Sequence, residues 1–274
     1  MAKLDVVLLT GGVIGVELAQ RLLEIPEVGS LTVVTTKLGR KPAGWLDKAR
    51  GIHRLEGPPG LLRAAAERIR RPQLRPAGAE LAELLARRCP GVRHLHYDDY
   101  HRADCLDQLR ALAPDLGVVV ATYLLRSSVF AIPRLGCLNL HMGRAPEFRG
   151  SSPGFYEMLE GVPEVGVTIH RVSDRLDAGG ILLQEGFPLD LAPAGDPVAY
   201  LQRYQREVLV PNGARMMADA VARLARGEAG ESTQDLTRGR TRRRATYAQK
   251  QELRRVVAGR RKGSATLTLR SRDS

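Results

Sequence analysis

The order of apolar and polar positions along this chain switches repeatedly between two periods. Residues 3–10 (KLDVVLLT) form a continuous apolar run rich in β-branched side chains, as expected of a strand buried on both faces of a parallel sheet. Gly11, Gly12 and Gly15 follow, and VELAQRLLE then runs at helical spacing. Strand, glycine turn and helix together predict a Rossmann-like βα unit. A second strand is expected over 31–36 (LTVVTT), helices over 81–88 and 104–112, a short strand over 94–97 and a central buried strand over 116–121 (LGVVVA). Between 37 and 76 the pattern breaks into Gly, Pro and Arg, with one amphipathic, basic-faced helix expected in LLRAAAERIRR.

Further on, GCLNLH, GVTIHRV and ILLQ read as strands, and 197–226 as one long helix interrupted around Pro211, Asn212 and Gly213. The expected fold class is α/β, a mostly parallel Rossmann-like sheet with flanking helices plus a short helical, Arg-rich C-terminal extension. The expected division is a catalytic α/β domain over 1–190, a helical segment packing on it over 191–230, and a basic tail over 231–274. No internal repeat is visible.

Charge changes this picture at one end only. The net charge is +12, and from residue 238 onward thirteen Lys or Arg face only Glu252 and Asp273, so this stretch carries +11 of it. The tail is either a polyanion contact or a solubilising, partly disordered terminus. The body is nearly balanced. With 43% hydrophobic but only 4% aromatic residues, the core should be built from Leu, Val and Ala, and no aromatic platform for nucleic acid is expected. Cys89, Cys105 and Cys137 lack metal-ligand spacing. His94, His96 and His101 have no acidic or thiol partner at ligand spacing, so no metal is expected. The N-terminal apolar run is too short to span a membrane and has no cleavage region, which predicts a cytoplasmic protein.

The chemistry concentrates in residues 136–184. Asn139 and His141 stand two apart, so on a strand both face the same side. Asp177 sits in the turn DAGG, just before the next apolar run. An amide, an imidazole and a carboxylate delivered by strand ends and turns are the usual makings of an α/β site. The amide is a permanent donor for an oxyanion, the imidazole titrates near neutrality, and the carboxylate favours the imidazole's protonated form or orients a proton-shuttling water. The glycine turn departs from G-x-G-x-x-G, so a dinucleotide cofactor is poorly supported.

These residues resemble the folate-dependent formyltransferase family, which includes glycinamide ribonucleotide formyltransferase, methionyl-tRNA formyltransferase and the sugar N-formyltransferases. The likeness rests on Asn139-Leu140-His141, on Leu176-Asp177-Ala178-Gly179 some three dozen residues later, and on the flanking PRLGCLNLH, RG and GVTIHRV pieces. It is specific over 113–189. It implies catalytic roles for Asn139, His141 and Asp177 and 10-formyltetrahydrofolate as co-substrate. By position it makes Tyr123, Leu124 and Leu125 candidates to pack against the folate, unless they are plain core, with His170 contacting folate or supporting the site. It sets Gly11 and Gly12 near the acceptor, unless they form only a tight turn. The loop over 142–152, with Arg149 and Gly150, also borders the acceptor, and its GRAPEF departs from the Leu-Leu-Pro of the tRNA and glycinamide enzymes.

The function expected is therefore N-formyl transfer to the amine of a small molecule, an amino-sugar nucleotide or a biosynthetic intermediate. The last 40 or so residues are too weakly β-patterned for the C-terminal barrel of the tRNA-formylating relatives, which counts against a nucleic-acid acceptor. The rival readings are a hydrolase of the same build, a nucleic-acid or assembly protein using the basic tail, and, more distantly, a nicotinamide-dependent oxidoreductase. No membrane partner is expected, and a homodimer is compatible with the sequence.

Overall fold

In a computed structural model, residues 3–36, 45–70 and 79–270 are described. Parts of the irregular Arg- and Pro-containing stretch (37–44 and 71–78), and the end of the basic tail (271–274), lie outside the described residues. Strands β1 (Leu4–Thr10), β2 (Val28–Thr36), β3 (Arg93–Tyr97), β4 (Leu116–Val120) and β5 (Cys137–His141) pair in parallel. A three-residue strand, β6 (Phe148–Gly150), stands outside this sheet, whereas β7 (Glu164–Arg171) and β8 (Ile181–Pro188) extend it antiparallel. The seven-stranded order is β3-β2-β1-β4-β5-β7-β8. The expected α/β sheet is present, mixed at one edge.

The continuous apolar runs are buried on both faces because helices cover both. Val6 and Leu8 of β1 join one core with α1 (Ile14–Leu23), whereas Val7 and Leu9 join the other. Val118 and Val119 of β4 divide the same way, as the two-residue period of a strand requires. The second core is closed by Tyr100, Cys105, Leu109 and Val129, so helices α4 (Ala103–Leu112) and α5 (Ser127–Phe130) lie on that face. The chain runs outward from β1 through β2 to β3, then returns to place β4 on β1's other side. That reversal opens a crevice beyond the carboxyl ends of β1 and β4, where ligands of open α/β sheets bind.

Three local expectations are corrected. The 45–70 region is helical on both sides of a kink, α2 (Trp45–Arg70), broken at Gly57 (φ +70) before Pro58 and Pro59. After α3 (Ala79–Arg88) and α6 (Phe155–Glu160), the long helix is not interrupted at residues 211–213. It consists of α7 (Pro197–Tyr204), a π-helical turn over Gln205–Leu209, and α8 (Val210–Ala225). Pro211 cannot donate to the carbonyl one turn back, so the backbone widens ahead of it rather than breaking at it.

Finally, the basic stretch is used internally at least as far as Arg261. Strand β9 (Arg240–Arg242) pairs with β6, and α9 (Tyr247–Arg270) buries Leu253 and Val257 completely. Arg238 pairs with Glu147, Arg242 with Glu160 and Arg254 with Asp196. Arg260 donates to the Met158 and Leu159 carbonyls at the end of α6, where a cation also complements the helix dipole. Arg261 donates to the Pro193 and Gly195 carbonyls. Leu253→Ala should therefore cost about 2–5 kcal/mol, read as a lower urea midpoint at unchanged m-value. A loss below about 0.5 kcal/mol, the level of an ordinary surface change, would contradict this packing.

Candidate active site

Strand β5 ends at the crevice and carries Asn139 and His141 on one face. Antiparallel pairing with β7 sets His170 directly opposite Asn139 and Thr168 opposite His141. The turn joining β7 to β8 then brings Asp177 over the same spot. Asp177 has φ +50, a left-handed conformation costly for a residue other than glycine. Ala121 (φ +51), beside β4, and Ser152 (φ +70), after β6, share this conformation and flank the same region. The non-glycine residues held left-handed thus gather around one place, with Ala113 at the end of α4 the exception among the described residues.

Two carbonyls fix the imidazole tautomers. His141 Nε2 lies 2.7 Å from the Phe148 carbonyl oxygen, which can only accept, so Nε2 carries the proton. His141 Nδ1 is then the basic nitrogen, 3.5 Å from Asp177 Oδ2. By the same reasoning His170 Nδ1 donates to the Arg171 carbonyl (2.7 Å), leaving Nε2 to accept from Asn139 Nδ2 at 3.1 Å. The second Asn139 N–H makes a longer contact, 3.4 Å, to Asp177 Oδ1. Asp177 Oδ2 also accepts from the Gly150 amide at 2.8 Å.

Burial favours uncharged His141 and pulls its pKa below the ordinary imidazole value, although Asp177 opposes the shift. Burial pushes Asp177 up, but the neighbouring imidazoles of His141 and His170 and the Gly150 amide outweigh it and hold the carboxyl below its usual range. At neutral pH the resting state is thus a carboxylate beside a neutral imidazole whose free lone pair faces it. Such a pair is set to take one proton: imidazolium formation would turn a weak contact into an ion pair.

Strand β6 supplies both the carbonyl that fixes His141 and the amide that fixes Asp177. Gly150 has φ +102, and a Cβ there would come 2.2 Å from the Arg242 carbonyl oxygen of β9. Only glycine lets the two strands close up at this point.

A cavity of about 840 Å³ opens over the trio, lined by Asn139, His141, Asp177 and His170. Tyr123, Leu124, Leu125 and Gly150 also line it, as does Val172. The Tyr123 hydroxyl donates to Asp99 (2.5 Å) and accepts from the Tyr100 amide (2.7 Å), which pins its ring. Gly11 and Gly12 are not among the lining residues; Val13 and Ile14 are, one step later in the turn. A Cβ on Gly12 would stand 3.3 Å from Ala121 Cβ, so this glycine serves the close approach of two turns. Arg149 points its guanidinium at the Pro146 and Gly239 carbonyls and lines a small neighbouring cavity instead. The histidines considered for metal lie elsewhere: His94 and His96 both meet the Thr35 hydroxyl at 2.8 Å.

Sequence reasoning missed the opposite wall. Gln202, Gln205 and Arg206 line the cavity from α7 and the π-helical turn, and Glu17 and Arg88 line it from α1 and α3. Polar residues on an amphipathic helix look the same whether they face water or a ligand, so only the odd π-helical turn could have marked them.

A family model described as formyl transferase matches residues 57–206, more than half of the chain. A methionyl-tRNA formyltransferase of Halorhodospira halophila is 35% identical over 129 residues, covering 46% of this chain and 42% of that protein. The chain spans less than half the length of the curated relatives it matches. Among solved structures, a sugar N-formyltransferase from a Shewanella species superposes with a TM-score of 0.57 at 15% identity, covering 88% of this chain and 76% of that one. An N-formyltransferase of Helicobacter canadensis, in complex with folinic acid and dTDP-3-aminofucose, gives 0.57 at 12% identity, covering 93% and 80%. At such identities these structures establish the shared fold. The matched segment contains Asn139 and His141 of β5 and the Asp177 turn, and on that match the chain belongs to the formyl transferase family.

Proposed function

We propose that this chain is an N-formyltransferase that moves the formyl group of 10-formyltetrahydrofolate to the amine of a small molecule. The observation that carries the reading is the convergence of Asn139, His141 and Asp177 beneath one large cavity at the reversal point of the sheet. The cavity fits such a co-substrate: its volume lies in the usual ligand range, and its Leu124, Leu125 and Val172 wall offers apolar surface beside a few convergent polar groups. 10-Formyltetrahydrofolate supplies an activated formyl group, and amine attack on it turns the carbonyl oxygen into an oxyanion.

Asn139 Nδ2 donates to that oxyanion by surrendering its long contact to Asp177, the weaker of its two bonds. His141 takes the amine proton at Nδ1, because Nε2 is committed to the Phe148 carbonyl. Asp177 stabilises the resulting imidazolium and stays in place through the Gly150 amide. His141 can then return the proton to the departing folate nitrogen.

A small acceptor is favoured over a polyanion because many arginines of the basic stretch are occupied by carboxylates and carbonyls of the chain itself. The likeness to an amino-sugar enzyme's fold supports an amino-sugar nucleotide as the first acceptor to try. The test is tetrahydrofolate release from 10-formyltetrahydrofolate, followed by absorbance, with and without a panel of amines that includes nucleotide-linked amino sugars and methionyl-tRNA. Release that requires one small amine is the expected result. Release without any amine would instead identify a hydrolase, and no release with any member of the panel would overturn the reading.

A further inference from the structure

The trio depends on a turn that the strand pairing of the main sheet does not by itself hold. Asp177 must meet Asn139 Nδ2, His141 Nδ1 and the Gly150 amide at once, from a left-handed backbone. Gln234, from the segment between α8 and β9, crosses beneath this turn. Its Nε2 donates to the Asp177 carbonyl (3.1 Å) and to the Gly179 carbonyl (2.6 Å). Its neighbour Ser232 exchanges both main-chain hydrogen bonds with Ile181, where β8 begins. Gln234 is 9% exposed, and its Oε1 is buried without a hydrogen-bond partner.

A buried unpaired acceptor is a cost that needs a reason. Here the reason is the other end of the amide: one NH₂ group bridges two carbonyls two residues apart and fixes the curvature between them. An apolar side chain of similar size would avoid the orphaned oxygen and lose both bonds. We infer that Gln234 is a positioning residue of the active site, clamping the Asp177 turn so that its carboxylate faces His141. This rests on the reading of Asp177 and His141 as the proton-handling pair.

Gln234→Met keeps length and volume and removes both donors. It should lower kcat about 10- to 100-fold, the range seen when a partner orienting an active-site ligand is lost. The KM for 10-formyltetrahydrofolate should stay within about twofold, because the wall formed by Tyr123, Leu124 and Leu125 is not part of the clamp. With Asp177 drifting away, the His141 imidazolium loses support and the acid limb of kcat should move to lower pH. The other charged or titratable groups acting on His141 are His170 and Arg149, and neither contacts Gln234.

Gln234→Glu gives a second reading. As a carboxylate it repels both carbonyls, whereas as the neutral acid its O–H can donate to one. Its activity relative to wild type at the same pH should therefore rise as pH falls. Titration of the His141 ring nitrogens by NMR provides a readout independent of turnover, and should show a lowered pKa in Gln234→Met. Retention of kcat within twofold with an unmoved His141 titration would overturn the inference. So would a kcat loss that merely tracks a fall in Tm with no shift of the limb. If Gln234→Met does not fold, a flat activity ratio across pH in Gln234→Glu overturns it. If the wild-type chain releases no tetrahydrofolate, the proposed function fails, while the His141 titration in the variant still judges Gln234.

Discussion

His141→Gln is expected to lower kcat by roughly 100- to 10,000-fold while the protein remains folded, the range of a lost general base. Glutamine is the informative replacement because its amide nitrogen can occupy the place of Nε2. It can keep the bond to the Phe148 carbonyl that anchors the β6 loop while deleting Nδ1, the only nitrogen of the ring left to accept a proton. Loss of activity then reports chemistry rather than loop collapse. The pH profile makes a separate prediction. Burial holds His141 below the ordinary imidazole pKa of about 6.5, so the base is ready at neutral pH and is lost only as pH falls through the lowered value. The wild-type kcat/KM profile should show an acid limb below pH 6.5, and the residual activity of the variant should lack that limb. The same sign applies to stability. The unfolded chain protonates this imidazole before the native one does, so acid below pH about 6.5 erodes whatever stability the buried neutral ring contributes. A variant with full turnover, or one that keeps the acid limb, would remove His141 from the mechanism.

What was legible in the sequence follows from which contacts leave a pattern. Asn139 and His141 share a face because strand geometry has period two, and that period needs no tertiary information. Asp177 was legible because Ala178, Gly179 and Gly180 mark a turn just before an apolar run. His170 opposite Asn139 needed only the strand register, yet its exact partner nitrogen depended on the Arg171 carbonyl, which no side-chain pattern records. The same limit hid the role of β6. Phe148 and Gly150 act through a main-chain carbonyl and a main-chain amide, so their side chains carry no trace of it. The strap that supports them was harder still. β9 is Arg240-Thr241-Arg242, three polar residues with no strand signature, and it reads as part of a charged tail until its pairing with β6 is seen. Arg149 shows the converse case. An arginine in a site-bordering loop looks like a substrate contact, but two loop carbonyls have already claimed it.

Asn139→Ala is expected to reduce kcat about 100- to 1000-fold, the usual cost of one oxyanion donor, equivalent to about 2.7–4 kcal/mol of transition-state stabilisation. The effect should fall on kcat with little change in KM, because the donor strengthens its bond only as charge develops on the oxygen. Asn139 also links two other polar groups of the site, giving one N–H to His170 and one to Asp177. Removing it takes away one of the donors that hold the Asp177 carboxylate in place, and so weakens the partner of the His141 imidazolium. Its loss should therefore be strongly non-additive with Asp177→Asn, the double variant being little worse than the poorer single one. Asn139→Asp separates the two roles. It preserves shape but replaces a donor with a second carboxylate beside Asp177, and two such groups in one buried site cannot both ionise freely. That variant should be poorer than alanine at neutral pH and recover part of its activity in mild acid, where a shared proton restores a donor. If Asn139→Asp instead keeps near-wild-type activity at neutral pH while Asn139→Ala loses it, the amide contributes only packing, and the oxyanion must be held by another group on the cavity wall.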